Sequence, residues 1–190
     1  MMSKSSKVQT DNSFFAEKVK LRLDSLKEVH TQVPSVLECF GGDGLLWKEV
    51  SRISGRKINS LRIDQKKDKD GSYLCGNNLK ILPSLNLADY DIIDLDAYGI
   101  PWDQLALLKA QDYSGVIHIT HIQTMMGALP YNALEHFGIS HEMFKKSPTI
   151  YANFGGRPVK SLLYEMGYRK IYQYAPTSRK IYFWTKKDLL

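Results

Sequence analysis

Residues 36–44 read VLECFGGDG, and Leu45, Leu46 and Trp47 follow. An apolar run carries one acid, Glu38, and then places glycine at positions 41, 42 and 44. A short apolar run closed by glycines reads as a buried strand, and the backbone beyond it is bare enough for a ligand to lie against. In open α/β sheets ligands bind at the carboxyl ends of strands, near the point where strand order reverses. The fold therefore turns on whether the rest of the chain alternates strands with helices around this loop.

The flanking chain alternates in that way. From Ser13 to about His30, Phe15, Val19, Leu23, Leu26 and Val29 recur at helical spacing, which predicts an amphipathic helix burying that stripe. Strands are expected over 35–40, 57–63, 72–75, 90–95 and 115–121, with helices over 44–54, 78–82 and 101–111. The last opens on Pro101, because proline suits a first helical position. After a helix over 158–166, RKIYQYA and RKIYFWTKK flank the turn signal PTS and predict an antiparallel hairpin. Five strands joined by helices require right-handed crossovers. The expected fold is α/β: an open, mostly parallel seven-stranded sheet with helices on both faces and a C-terminal antiparallel hairpin. Polar residues 1–12 read as a disordered tail, and residues 13–190 as one domain.

Composition sets the outer limits. The 190 residues, 43% hydrophobic and 24% charged, have globular proportions. No apolar run approaches the roughly 20 residues of a membrane span, and MMSKSSKVQTDNS lacks the apolar core of a signal peptide. A soluble, cytoplasmic protein without a membrane partner is expected. Cys39 and Cys75 sit at ends of apolar segments and read as reduced core thiols, and no metal site is expected. Net charge is +6, but the chain from Lys145 onward carries +8 and the residues before it −2. That basic quarter is interleaved with Tyr164, Tyr168, Tyr172, Tyr174, Tyr182 and Trp184. It suits a polyanion with aromatics for stacking; its plainer reading is a solvated face whose aromatics pack inward.

The glycine loop excludes two familiar ligands. A dinucleotide site requires G-x-G-x-x-G, and Trp47 stands at the third glycine's place. A Walker loop requires a Lys-Ser or Lys-Thr pair that is not here. A nucleoside without pyrophosphate remains compatible. Asp64, 20 residues beyond Gly44, has the spacing of a ribose-binding carboxylate, although a turn or helix-cap role is common for an aspartate after a strand.

Taken together, E-x-F-x-G-x-G at Glu38, Phe40, Gly42 and Gly44, then Asp64, then Gly76-Asn77, then an acidic motif after the fourth strand resemble class I (Rossmann-like) S-adenosylmethionine-dependent methyltransferases. The resemblance covers about residues 35–187. It implies S-adenosylmethionine as cofactor, with Gly41, Gly42 and Gly44 beneath its methionine part and Phe40 beside them. It further implies that Glu38 supports the loop or the amino group, Asp64 holds the ribose, and Gly76 and Asn77 lie at the adenine edge. Asn77 departs from the family's usual aspartate but still accepts and donates. DIIDLDAYGIP, 91–101, resembles D-x-I-D-L-D-P-F-G-x-P of the tRNA guanine-N2 dimethyltransferases, with Ala97 for proline and Tyr98 for phenylalanine. THIQTMMGAL, 120–129, echoes the same family faintly. The resemblance spans the catalytic domain only, so a protein partner supplying substrate recognition is expected.

Strand alternation places Asp94 and Asp96 on one side, with Asp96 nearer the rim where a substrate approaches. An exocyclic base amine is a weak nucleophile, because its lone pair is delocalised into the ring. A carboxylate accepting its N–H bonds, together with alignment, favours attack on a sulfonium methyl. Asp96, Asp94 and Tyr98, the last as a stacking platform for an unstacked base, are therefore the catalytic candidates. The competing reading is a carboxylate-capped helix start before Pro101. Pro101, His121 and Arg157 are candidate substrate contacts. For His121 the plainer reading is a hydrogen-bonded core or rim histidine. For Arg157, which follows Asn153, Gly155 and Gly156, it is a connecting turn. The expectation is RNA nucleobase methylation within tRNA processing, with RNA favoured over DNA as partner. A non-catalytic nucleic-acid-binding scaffold and a DNA or small-molecule methyltransferase are the alternatives.

Overall fold

The computed structural model describes residues 13–66, 71–123, 131–136, 138–147 and 155–187. Strand β1 (Ser35–Glu38) has no solvent-facing side, since Val36 and Leu37 are both fully buried on opposite faces. It accordingly lies inside the sheet, paired in parallel with β2 (Asn59–Asp64) and β4 (Ile92–Leu95). β3 (Tyr73–Cys75) extends the β2 side in parallel, and β5 (Val116–Ile122) the β4 side. The C-terminal hairpin closes the far edge, with β7 (Lys180–Lys186) antiparallel to β5 and β6 (Lys170–Thr177) outermost. The order is β3-β2-β1-β4-β5-β7-β6. It reverses between β1 and β4, which opens a crevice at their carboxyl ends. The expected seven-stranded, mostly parallel architecture is thus observed.

Seven α-helices occur among the described residues: α1 (Phe15–Leu26), α2 (Leu45–Ser54), α3 (Asn78–Ile81), α4 (Trp102–Ala110), α5 (Tyr131–His136), α6 (His141–Lys146) and α7 (Arg157–Glu165). Leu37, Ile93 and Ile117 lie in register across three strands and pack against Leu105 and Leu108 of α4 and Val159, Leu162 and Leu163 of α7. One residue earlier on each strand, Val36, Ile92 and Val116 face the other way. They meet Val19 and Leu26 of α1 and Trp47 and Val50 of α2.

Several details depart from expectation. β1 ends at Glu38 rather than Phe40, because Cys39 and Phe40 already form the turn into the glycine loop. Pro101 is the cap of α4, one position before its first helical residue. α5 and α6 were not anticipated from periodicity, being only six residues long. α1 does bury Val19 and Leu26, but Lys18, Arg22 and Ser25 are buried beside them while Phe15 and Leu23 are only half-buried. Cys39 is a buried free thiol, whereas Cys75 is exposed and not a core residue. In the basic quarter Tyr168, Tyr182 and Trp184 pack inward, Tyr164 and Tyr172 are exposed, and the Tyr172 ring stacks on Trp184 at 4.1 Å. The N-terminal stretch 1–12, most of THIQTMMGAL and Asn153 lie outside the described residues.

Candidate functional site

The residue after Val36–Leu37 begins a transverse polar row. Arg62, Glu38, Asp94, His118 and Trp184 are mutual register partners across β2, β1, β4, β5 and β7, so their side chains share the face covered by α1 and α2. Burying such groups is costly unless each finds a partner. α1 supplies three of them at helical spacing. Arg22 clasps Asp94 through Nε and Nη2 at 2.7 and 2.8 Å. Ser25 Oγ meets His118 Nε2 at 2.7 Å. Lys18 Nζ donates to Asp96 Oδ1 and Oδ2 at 2.7 and 3.0 Å. Trp47 Nε1 adds a 2.7 Å bond to Asp94, and Thr120 Oγ1 donates to Asp96. Burial opposes the Arg22 charge, yet Asp94, with Asp96 and Glu38 behind it, holds its pKa above the ordinary range. Burial, and then Arg22, push His118 well below its usual value, so it is neutral.

The glycine loop rests on Arg62. A Cβ at Gly41 would fall 2.7 Å from Arg62 Cβ, and Gly44, whose φ is +66°, would place one 2.9 Å from Arg62 Cδ. Glycine is required at 41 for space and at 44 for both space and conformation. The loop is pinned from its other side by Asp64, which accepts from the Gly42 amide and the Lys66 amide, both at 2.9 Å. Asp64 thus holds the loop and closes a turn with Lys66, with lone pairs still free for further donors.

A cavity of about 550 Å³ opens at these strand ends. Glu38, Phe40, Gly41, Gly42, Gly44, Asp64, Gly76 and Asn77, together with Asp94, Asp96 and Tyr98, all line it. Two sequence regions some 50 residues apart thus meet in one crevice. Burial first, and then the Asp94 charge, push Glu38 up to about 8. Its Oε1 is buried without a hydrogen-bond partner among the described residues. A cationic donor would satisfy that oxygen. Tyr98 is 62% exposed, with its ring open to a flat ligand.

Other assignments move. Asn77 Oδ1 caps α3 by accepting from the Leu79 amide at 2.9 Å. The buried neighbour, Asn78, instead joins Cys39 O at 2.6 Å and Gln104 at 2.8 Å, and both amides line the cavity. His121 shares the face of Ile117 and Ile119, opposite Thr120, and is not a lining residue. It is fully buried against Phe183, its ring nitrogens have no partner among the described residues, and desolvation lowers its pKa to about 4. Pro101 and the exposed Arg157 also stand outside the lining. Lys18, Arg22, Trp47, Thr120, Asn78, Gln104 and Phe15, another lining residue, carry no motif that would have marked them. Among the described residues no group of three or more His, Cys, Asp or Glu is placed to hold a metal ion, and no helix is long and apolar enough to cross a membrane.

No protein-family model and no curated protein matches the chain. Solved structures do. An S-adenosylmethionine-dependent methyltransferase from Archaeoglobus fulgidus matches at TM-score 0.53 and 16% identity, over 90% of this chain and 94% of that one. The plantazolicin methyltransferase BpumL, in complex with SAH, matches at 0.53 and 14%, over 92% and 83%. A Plasmodium falciparum protein described as a ribosomal RNA methyltransferase matches at 0.52 and 17%, over 93% and 98%. At such identities the likeness is one of fold: the chain has the Rossmann-like fold of S-adenosylmethionine-dependent methyltransferases.

Proposed function

We propose that this protein is an S-adenosylmethionine-dependent methyltransferase acting on an exocyclic amine of a nucleobase, in RNA before DNA and with tRNA foremost. One observation carries the reading: the glycine loop, the orphaned Glu38 oxygen, Asp64 and the Asp96–Tyr98 segment face a single cavity at the switch point. The residues fit the cofactor. Bare backbone at Gly41, Gly42 and Gly44 admits its methionine part, Glu38 receives its amino group, and Asp64 has lone pairs left for ribose hydroxyls. Asn78 and Gln104 supply amides beside the place expected for the base edge. When bound, the cofactor supplies a methyl group on a positively charged sulfur.

The chain's own part is to present the acceptor. Asp96 Oδ2 would take one N–H of the amine and so hold the nitrogen in one orientation. Tyr98 stacks on the base, and Phe15 and Phe40 help exclude water. With the cofactor bound, the amine held by Asp96 and Tyr98 would take up that methyl group and give up one proton to solvent. The reading carries with it a cytoplasmic location, residues 13–190 acting as one domain, and a protein partner for substrate recognition.

Calorimetric titration with S-adenosylhomocysteine tests the cofactor site. Methyl-labelled cofactor incubated with total tRNA, rRNA or DNA tests the acceptor, with Asp96→Asn expected to slow transfer about a hundredfold. Label in none of the three, or undiminished transfer by Asp96→Asn, would sink the assignment. A non-catalytic RNA-binding scaffold is the second reading, favoured by the ion pairs that engage both carboxylates and by Ala97. It predicts no S-adenosylhomocysteine binding.

A further inference from the structure

Lys18 reaches the acceptor end of the cavity from α1, 78 residues away in sequence from the aspartate it grips. Its side chain is 6% exposed, both Asp96 oxygens accept from it, and its Nζ lies 5.4 Å from the centroid of the Tyr182 ring. A lysine whose only task was solubility would point outward, since its hydrated head is costly to bury. Beside this pair, Arg22 cancels Asp94. Two carboxylates against two cations leave that end of the crevice electroneutral, although its sequence motif, DLD, reads as strongly anionic.

Resting on the methyltransferase reading, we infer that Lys18 is a positioning and specificity-determining residue that restricts the acceptor to uncharged amines. With its charge matched by Lys18, Asp96 offers an incoming group a hydrogen-bond acceptor but no net negative field. An alkylammonium arriving at Asp96 would meet the Lys18 charge at close range, in surroundings where like charges interact strongly. A base amine carries no charge and needs only the lone pair that Lys18 and Thr120 leave free on Asp96 Oδ2. The same two donors fix the carboxylate's rotation, so its free lone pair keeps one direction. Phe15, Tyr98 and Ile122, which line the same cavity, offer surfaces suited to a flat, neutral ring.

Lys18→Gln removes the charge and keeps a donor, while Lys18→Arg keeps both. Transfer from methyl-labelled cofactor is measured into total tRNA and rRNA and, separately, into poly-L-lysine. The wild-type protein should label RNA and leave poly-L-lysine at least about tenfold lower. Lys18→Gln should lose about tenfold or more in kcat on RNA and raise the poly-L-lysine to RNA ratio by a similar factor. Its affinity for S-adenosylhomocysteine should stay within about twofold. Lys18→Arg should recover most of the kcat and the wild-type ratio. Full RNA transfer with an unchanged ratio in Lys18→Gln overturns the inference and leaves the methyltransferase reading standing.

A second measurement needs no turnover and no variant. Under limited acetylation read by mass spectrometry, Lys18 should be protected relative to Lys27, whose side chain is 73% exposed. Equal labelling of the two overturns the Lys18–Asp96 pairing by itself. Label in neither RNA nor poly-L-lysine, with Lys18 protected, overturns the nucleobase reading and the acceptor assignment built on it. Preferential labelling of poly-L-lysine by the wild type overturns both.

Discussion

The two faces of the sheet solve the same problem in opposite ways. Under α4 and α7, Leu37, Ile93, Ile117 and Phe183 meet leucines and valines, and stability there comes from removing apolar area from water. Under α1 and α2 only one row, Val36, Ile92 and Val116, is of that kind. The next is Arg62, Glu38, Asp94 and His118, in which Arg22 and Trp47 hold Asp94 and Ser25 holds His118. The apolar face tolerates imperfect fit at modest cost. The polar face depends on its ion pairs, because a buried charge without one is far more expensive than a small cavity; Glu38, whose Oε1 has no partner among the described residues, has its pKa pushed up to about 8 by burial. The crevice opens where this partnered row runs out, at Asp96 and the glycine loop. Charge that holds the fold and charge that lines the crevice are therefore neighbours on one surface.

Arg22→Ala should have the largest effect on stability, leaving Asp94 buried without its counter-charge at about 3–5 kcal/mol, read from urea denaturation. Replacing both partners with apolar residues of similar volume should recover most of that loss. A cost for Arg22→Ala near the 1 kcal/mol or less of an exposed pair would break the contrast between the faces. On the apolar face Leu105→Ala should cost about 2–5 kcal/mol, with the same increment at pH 5 and pH 8, since no titrating group is involved.

Smaller effects follow from the titrating groups. Glu38 has its folded-state pKa raised to about 8 from 4.5. Its contribution is therefore fully present below pH 4.5 and is lost as pH rises towards 8. Glu38→Gln should flatten that slope, and denaturation midpoints from pH 5 to 8 would show it. His121, with its pKa lowered to about 4 from 6.5, slopes the other way: its contribution is present above pH 6.5 and is lost as pH falls through 4. A His121→Gln variant should lose that acid-side slope. Asp64→Ala should weaken S-adenosylhomocysteine binding about tenfold and lower stability by about 1 kcal/mol, as the Gly42 and Lys66 amides lose their acceptor. Unchanged binding would separate the loop-holding role of Asp64 from any role in the cofactor site.

The architecture was legible because it is written locally: apolar runs of strand length, helical periodicities and turn residues at their joints. The glycine loop was legible for the same reason, its acid and glycines standing within seven residues. Lys18, Arg22 and Ser25 were not, although they too recur at helical spacing. Reading α1 by its apolar stripe treats polar residues as solvent-facing, and their partners lie 72 to 93 residues away. Trp47 was visible only as the wrong residue for a third glycine, while its indole N–H bonds Asp94. Asn77 and Asn78 show how fine the limit is. Both line the cavity, but the start of α3 spends one amide on a cap and buries the next between Cys39 and Gln104, a difference set by backbone angles rather than residue type.

Arg62 gives the glycine loop a genetic consequence. Because its aliphatic stem fills the space a side chain at 41 would need, positions 41 and 62 share one volume between them. Gly41→Ala in the presence of Arg62 should be harmful, and a shortened residue at 62 should rescue it. Related sequences that give up glycine at 41 should then be those that have also lost the long side chain at 62, so the two positions should be inherited as a pair.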